Sequence, residues 1–226
     1  MLKTLGKCAL ALMLAGLGTL AQAQDGRSAF TGPQISLHFG AQNSAVTETH
    51  VATTNGLNQF NQPDATARGG IVQVHAGYGF DLGQGFNLTL GAFLEPGSAT
   101  LSPTRATFFL DTVQQELRNR RGLYLAPGYL VDDRTLIFAK LGLAQADELY
   151  TRATPGIALR RVVSGTVYGV GVKRMLNRHL FWSFDVTRTD YGLNRLGSAV
   201  PLNGNSVNIR GRAAQDEVTV GLGYSF

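Results

Sequence analysis

Apolar and polar residues alternate with a period of two over most of the chain. The terminal stretch shows it most plainly: Val218, Val220, Leu222, Tyr224 and Phe226 take one parity, and Thr219, Gly221, Gly223 and Ser225 the other. Side chains of a strand point alternately to opposite faces, so this stretch predicts a β-strand with one apolar face and one small or polar face. Two alternating runs joined by Leu82-Gly83-Gln84-Gly85 predict a hairpin by their glycines. The plan repeats around Asp132-Asp133 and around Leu176-Asn177-Arg178. Three hairpins supply six strands, and GPQISLHFGAQ before them and the terminal run after them make eight.

The connections sort by length. Tight turns fall near 82–85, 131–134 and 175–179, and long polar loops near 43–69, 96–116, 145–161 and 190–215. The predicted fold is therefore all-β: an eight-stranded, up-and-down antiparallel transmembrane β-barrel with short periplasmic turns and long extracellular loops.

Alternation alone also fits a soluble lipocalin-like barrel with an apolar interior, so the polar residue types decide. The strand from Ile71 puts Val72, Val74, Ala76, Tyr78 and Phe80 on one face and Gln73, His75, Gly77 and Gly79 on the other. The strand from Phe86 sets Leu88, Leu90, Ala92 and Leu94 against Asn87, Thr89, Gly91, Phe93 and Glu95. A wall facing water would carry many Lys, Glu and Asp residues, and these strands carry few. Small residues instead suit the crowded lumen of a narrow barrel. Charged residues are 15% of the chain, against about a quarter in ordinary soluble proteins. Tyr78, Phe80, Phe86, Tyr129, Trp182 and Tyr224 fall on the outward parity near the turn ends, as an aromatic girdle at one membrane interface would.

The amino terminus predicts a destination. Lys3 and Lys7 precede an apolar run from Ala9 to Leu20 and then Ala21-Gln22-Ala23, which reads as a secretory signal peptide over residues 1–23, cleaved after Ala23. The barrel domain is then 24–226. Cleavage removes the single cysteine, Cys8, so the exported chain cannot form an internal disulfide. No later stretch is apolar enough for a membrane helix, but a closed barrel also satisfies every backbone group in lipid.

The stretches YLAPGYLVDDRTLIFAKLGLA, VYGVGVKRML with FWSFDVTRTDYG, and VTVGLGYSF resemble the small eight-stranded outer-membrane β-barrels of the OmpA/OmpX and opacity-protein type, a porin-family group. The resemblance covers essentially the mature chain and is strongest after Gly122. It implies a Gram-negative outer-membrane location and recognition of the last strand by the barrel-assembly machinery, through Val218, Val220, Leu222, Tyr224 and Phe226. It also implies a surface role in which variable loops meet a host or surface ligand. No peptidoglycan-binding domain like that of some relatives is expected, since the sequence read runs only to the last strand.

Charges in a narrow lumen must pair. Counted from the turns, Glu95 and Arg120 fall at equal height on neighbouring strands, which predicts an ion pair near the loop end. Lys140 and Asp185 are expected to pair at mid-barrel and to touch His75, which falls at a similar level. The pairs read either as a plug that holds the barrel's shape or as a polar ion path. Removing Lys3 and Lys7 from 20 basic residues leaves 18, of which 16 are arginine and two are Lys140 and Lys173. Guanidinium grips phosphate in a bidentate fork, so the loop-end arginines Arg105, Arg118, Arg121, Arg152, Arg160, Arg161, Arg210 and Arg212 are the candidates for contact with lipopolysaccharide. The bland alternative is a solvated basic rim.

Small outer-membrane barrels include enzymes that trim or acylate lipid A. The spacings around His50, with Ser44 and Glu48 nearby, match no such motif, and no metal cluster or phosphate-cradling loop is present. The expectation is a non-enzymatic monomer without cofactor or metal that does not bind nucleic acid. A narrow ion or small-solute channel is the alternative.

Overall fold

The computed structural model describes residues 29–53, 59–62, 65–105, 112–152, 157–196 and 207–226. Among the described residues nine strand segments follow one another and no helix occurs: β1 (Gly32–Thr53), β2 (Gln59–Gln62), β3 (Ala65–Gly83), β4 (Phe86–Arg105), β5 (Thr112–Asp132), β6 (Thr135–Arg152), β7 (Ile157–Met175), β8 (Leu180–Leu196) and β9 (Val207–Ser225). β2 and β3 both pair with β1 and form two pieces of one wall strand. Each remaining strand pairs antiparallel with its sequence neighbour, and β9 pairs with β1 from Gln34↔Ser225 to Thr53↔Val207. The sheet therefore closes as an eight-stranded up-and-down barrel, which leaves no open edge in lipid.

Local chemistry sets the tight turns. Gly83, Gln84 and Gly85 take φ values of 80°, 53° and 84°, a left-handed path that glycine makes cheap, and the Asp81 carboxylate accepts the Gly83 N–H at 2.8 Å. Asp132 accepts the Arg134 N–H at 2.8 Å, and this bond holds the exposed Asp132 carboxyl below its usual pKa. Asn177 Oδ1 accepts the N–H groups of His179 and Leu180.

The opposite end differs from expectation. The strands run well into the stretches read as long loops: β1 reaches Thr53 and β3 begins at Ala65, while β4 and β5 leave only 106–111 between them. Above the apolar band both faces of the wall meet water, so the period-two signal fades while the backbone ladder continues.

The outward parity is apolar: Phe39, Leu94, Leu143, Val170, Val220 and Leu222 are all more than half exposed. The inward parity is packed in three apolar layers. Phe30, Leu136, Met175 and Phe181 fill the turn end. Phe93, Tyr124, Ala126, Phe138, Ala144 and Val167 fill one side of the middle. Ala67, Leu117, Ala146, Val163, Tyr191 and Ala213 fill the loop end. Gly91 makes room for this filling: a Cβ there would lie 2.5 Å from the Tyr124 hydroxyl oxygen. Gly91→Val should displace that ring and lower unfolding stability by about 1–3 kcal/mol in urea titrations of the reconstituted barrel.

Candidate functional site

Two sets of charges matter, one inside the barrel and one on its rim. The inner set begins toward the loop end, where Glu95↔Arg120 are register partners on β4 and β5, well above the turn-end partners Phe86↔Tyr129. Arg120 Nη1 lies 2.8 Å from Glu95 Oε2, and the same nitrogen contacts Glu217 Oε1. Arg120 Nη2 donates to Thr189 Oγ1 at 2.6 Å, and the guanidinium lies 4.8 Å over the Phe93 ring. Gln73 donates to both carboxylates, and Thr187 to Glu217 at 3.1 Å. One arginine thus serves two buried carboxylates.

Lower down, Lys140 Nζ lies 2.7 Å from Asp185 Oδ1. His75 does not touch this pair. It stacks on His38 with ring centroids 4.0 Å apart and hydrogen-bonds Gln73 at 3.0 Å. His38 takes the place expected for His75, with Nδ1 3.6 Å from Asp185 Oδ2. Lys173 Nζ donates to Gln34 at 3.1 Å and lies over Phe138 and Phe181. Around these two clusters, Arg120, Lys140 and Lys173 balance Glu95, Asp185 and Glu217, so the imidazoles need carry no charge.

Ser36 Oγ lies 2.9 Å from His38 Nε2, which gives Ser36, His38 and Asp185 the connectivity of a nucleophile, base and orienting acid. The His–Asp separation exceeds a hydrogen bond, the other Asp185 oxygen is held by Lys140, and all three side chains are buried in the filled lumen. The group ties β1 to β8 across the lumen.

The rim set depends on irregularities that sequence parity does not show. The register shifts between Arg118 and Arg121, where Asn119 has φ 50°. This bulge turns Arg118 outward although Arg120, of the same parity, points into the lumen. Arg121, Arg160 and Asn119 converge on Asp147, with Arg160 Nη2 at 2.6 Å and Arg121 Nη1 at 3.7 Å. Arg118 pairs with Glu116, Arg212 with Asp190 at 2.7 Å, and Arg188 with Asp216 at 3.1 Å. The expectation for Arg161 needs correction: it lies on the inward parity with Val163, its Nε 2.7 Å from Glu148 Oε2. Arg105, Arg152 and Arg210 fall on β4, β6 and β9, with their side chains outside the described residues.

The Arg160 hydrogen bond, with Asn119 and Arg121 beside it, lowers the Asp147 carboxyl pKa. A depressed carboxyl stabilises the fold above its ordinary value of about 3.9 and loses that contribution as pH falls through its folded value. Acid below that range should therefore release Arg160, and an Asp147→Asn variant should remove the step from pH titrations of barrel stability.

The girdle aromatics meet in pairs near the turns: Tyr78 with Phe80 at 4.8 Å, Phe86 with Tyr129 at 5.2 Å, and Tyr224 with Phe226 at 4.9 Å. Trp182 is also on the outward parity, half-buried beside Leu222 in the ladder. Val218, Val220, Leu222, Tyr224 and Phe226 form the outward stripe of the last strand.

A closed barrel with an apolar outer wall and a packed charged interior is the geometry against which known proteins can be compared. Residues 9–226 match the outer membrane protein beta-barrel domain family. The chain belongs to this family. It is an outer-membrane β-barrel protein. Among solved structures it is similar to OprG of Pseudomonas aeruginosa, at 14% identity and a TM-score of 0.53, covering 87% of this chain and 96% of that one. It is also similar to AlkL in lipid bilayers, at 14% identity and a TM-score of 0.50, covering 91% and 94%. Ail of Yersinia pestis matches at 12% identity and a TM-score of 0.42, covering 87% and 99%. At these identities the likeness is one of fold. No sequence among the curated proteins matches this barrel significantly.

Proposed function

We propose that this barrel works through its outer wall and rim, as a non-enzymatic monomer that grips the phosphates of lipopolysaccharide and presents its loops to the surroundings. The observation that carries the reading is the belt of outward arginines, Arg68, Arg118, Arg121, Arg160, Arg188 and Arg212, above an apolar wall whose lumen is packed. Among the described residues these six guanidiniums face four rim carboxylates, Glu116, Asp147, Asp190 and Asp216, which leaves this part of the belt with a net positive charge. Guanidinium forks favour phosphate oxygens, and an anionic leaflet attracts such a belt.

The turn end of the lumen is filled by Phe30, Leu136, Met175 and Phe181, which favours the plug over the ion path. The same last-strand stripe, Val218 to Phe226, is the surface proposed to engage the assembly machinery. The Arg118→Gln/Arg121→Gln/Arg160→Gln triple variant should reduce lipopolysaccharide retained through purification several-fold. Unchanged retention in a folded triple variant would contradict the rim reading. In planar bilayers the protein should show no steady single-channel conductance.

A further inference from the structure

Four adjacent strands place Arg68, Asn43, Asp216 and Arg188 in one row: Arg68 pairs with Asn43, Asn43 with Asp216, and Asp216 with Arg188. The row continues through Tyr168, the partner of Arg188. One step toward the turn end, the outward row is Gly70, Ala41, Val218, Val186 and Val170, again as direct ladder partners. A third row begins with Val72 and Phe39, bulkier than the pair above them. The small side chains of Gly70 and Ala41 leave a recess beneath the arginine row, and a concavity of about 1020 Å3 opens there on the outer wall. Its lining is almost wholly apolar carbon, from Ala41, Gly70, Val170, Val186 and Val218, with Arg68, Arg188 and Tyr168 at its upper border.

The charges above the recess are unequal. Asp216 accepts Arg188 through both oxygens, at 3.1 and 3.3 Å. Arg68, in contrast, has no ion pair among the described residues and is exposed. A second recess, of about 710 Å3 on β4 to β7, is bordered by Arg121, but that guanidinium is already shared with Asp147. The recess below Arg68 thus combines a wall that hydrocarbon wets with a guanidinium left over for an anion. An acyl chain ending in a phosphate is the ligand that satisfies both.

We propose that this recess is a seat for one phosphorylated glycolipid of lipid A type, with an acyl chain laid along Gly70, Ala41 and Val218 and a phosphate on Arg68, flanked by Arg188 and Tyr168. Arg68 and Arg188 are three strand spacings apart, about 14 Å, a span that suits a broad sugar headgroup better than a single phosphodiester. The inference rests on the rim reading for the side of the membrane that this end of the barrel faces. It assigns different residues from those of the rim test.

Native mass spectrometry of the detergent-solubilised barrel, titrated separately with lipid A and with phosphatidylglycerol, tests it. Folding of each variant is checked by gel mobility with and without boiling. Arg68→Gln/Arg188→Gln should weaken lipid A binding about tenfold, the loss expected for a charge-assisted contact. Gly70→Leu should fill the recess and weaken binding by a similar factor while folding normally, because a Cβ there has only the Gly40 carbonyl oxygen at 3.8 Å. Lipid A affinity unmoved by both changes would overturn the proposal, and equal binding of phosphatidylglycerol would overturn its commitment to a glycolipid. If only the Arg118/Arg121/Arg160 variant loses lipid A, the rim reading stands and the recess falls. If only the recess variants lose it, the recess stands and Arg118, Arg121 and Arg160 take no share in holding the lipid. Lack of lipid A binding to any form sinks both.

Discussion

Replacing Arg120 with methionine should lower the unfolding free energy of the barrel by about 3–5 kcal/mol, the cost of leaving buried charge without its partner. The size follows from the number of partners. Arg120 is the only cation within ion-pair distance of Glu95 and Glu217 among the described residues, and Thr189 and the Phe93 ring depend on the same guanidinium. Without it two carboxylates would sit together in a filled lumen, joined by Gln73 and Gln215 but neutralised by nothing. Urea unfolding in lipid vesicles, followed by gel mobility, reads the loss. Adding Glu95→Gln and Glu217→Gln to Arg120→Met should restore much of it, since the amides need no counter-charge. If the single variant were as stable as the parent, the cluster would not be holding the upper barrel together.

A charge on the outer wall should act just as strongly and for a different reason. Val220 is 55% exposed, inside the apolar stripe from Val218 to Phe226 and paired on either side with Phe39 and Phe184. Val220→Arg would place a guanidinium in hydrocarbon, at a cost of about 2–4 kcal/mol near the midplane. The same substitution on a soluble barrel would change little, because an exposed position there meets water. The prediction is therefore one of contrast: the variant should be destabilised in bilayers, and a Val220→Leu control should not.

The wall was legible because its physics is local. Each side chain from Val72 to Phe80 declares its face by parity, and the turns declare themselves by Gly83, Asp132 and Asn177. The Glu95–Arg120 contact was legible for a related reason, since both residues can be counted upward from a recognisable turn. Glu217 was missed because β9 has no turn beneath it from which to count, although Val218 and Val220 outward already imply Glu217 inward. His38 was missed as the neighbour of Asp185 because that contact depends on which strands meet across the lumen, a property of closure that no single strand carries. Arg161 follows the unbroken alternation of β7 inward with Val163 and Lys173 and was missed because its stretch read as a loop, whereas Arg118 required more than alternation. A residue above the membrane meets water on both faces, and one bulge at Asn119 reverses the parity that the reading relies on.

The function of the barrel depends on which face is inside and which outside, and the chain carries a natural reporter of it. Trp182 is the single tryptophan, on the outward parity of β8 at the turn end. Its fluorescence in vesicles of lipids brominated along the acyl chain, compared with quenching by aqueous iodide, locates it without any substitution. Strong quenching by the bromines nearest the interface, with little by iodide, is the predicted result. An indole untouched by brominated lipid and quenched from the water would place the apolar wall away from the membrane and contradict the account.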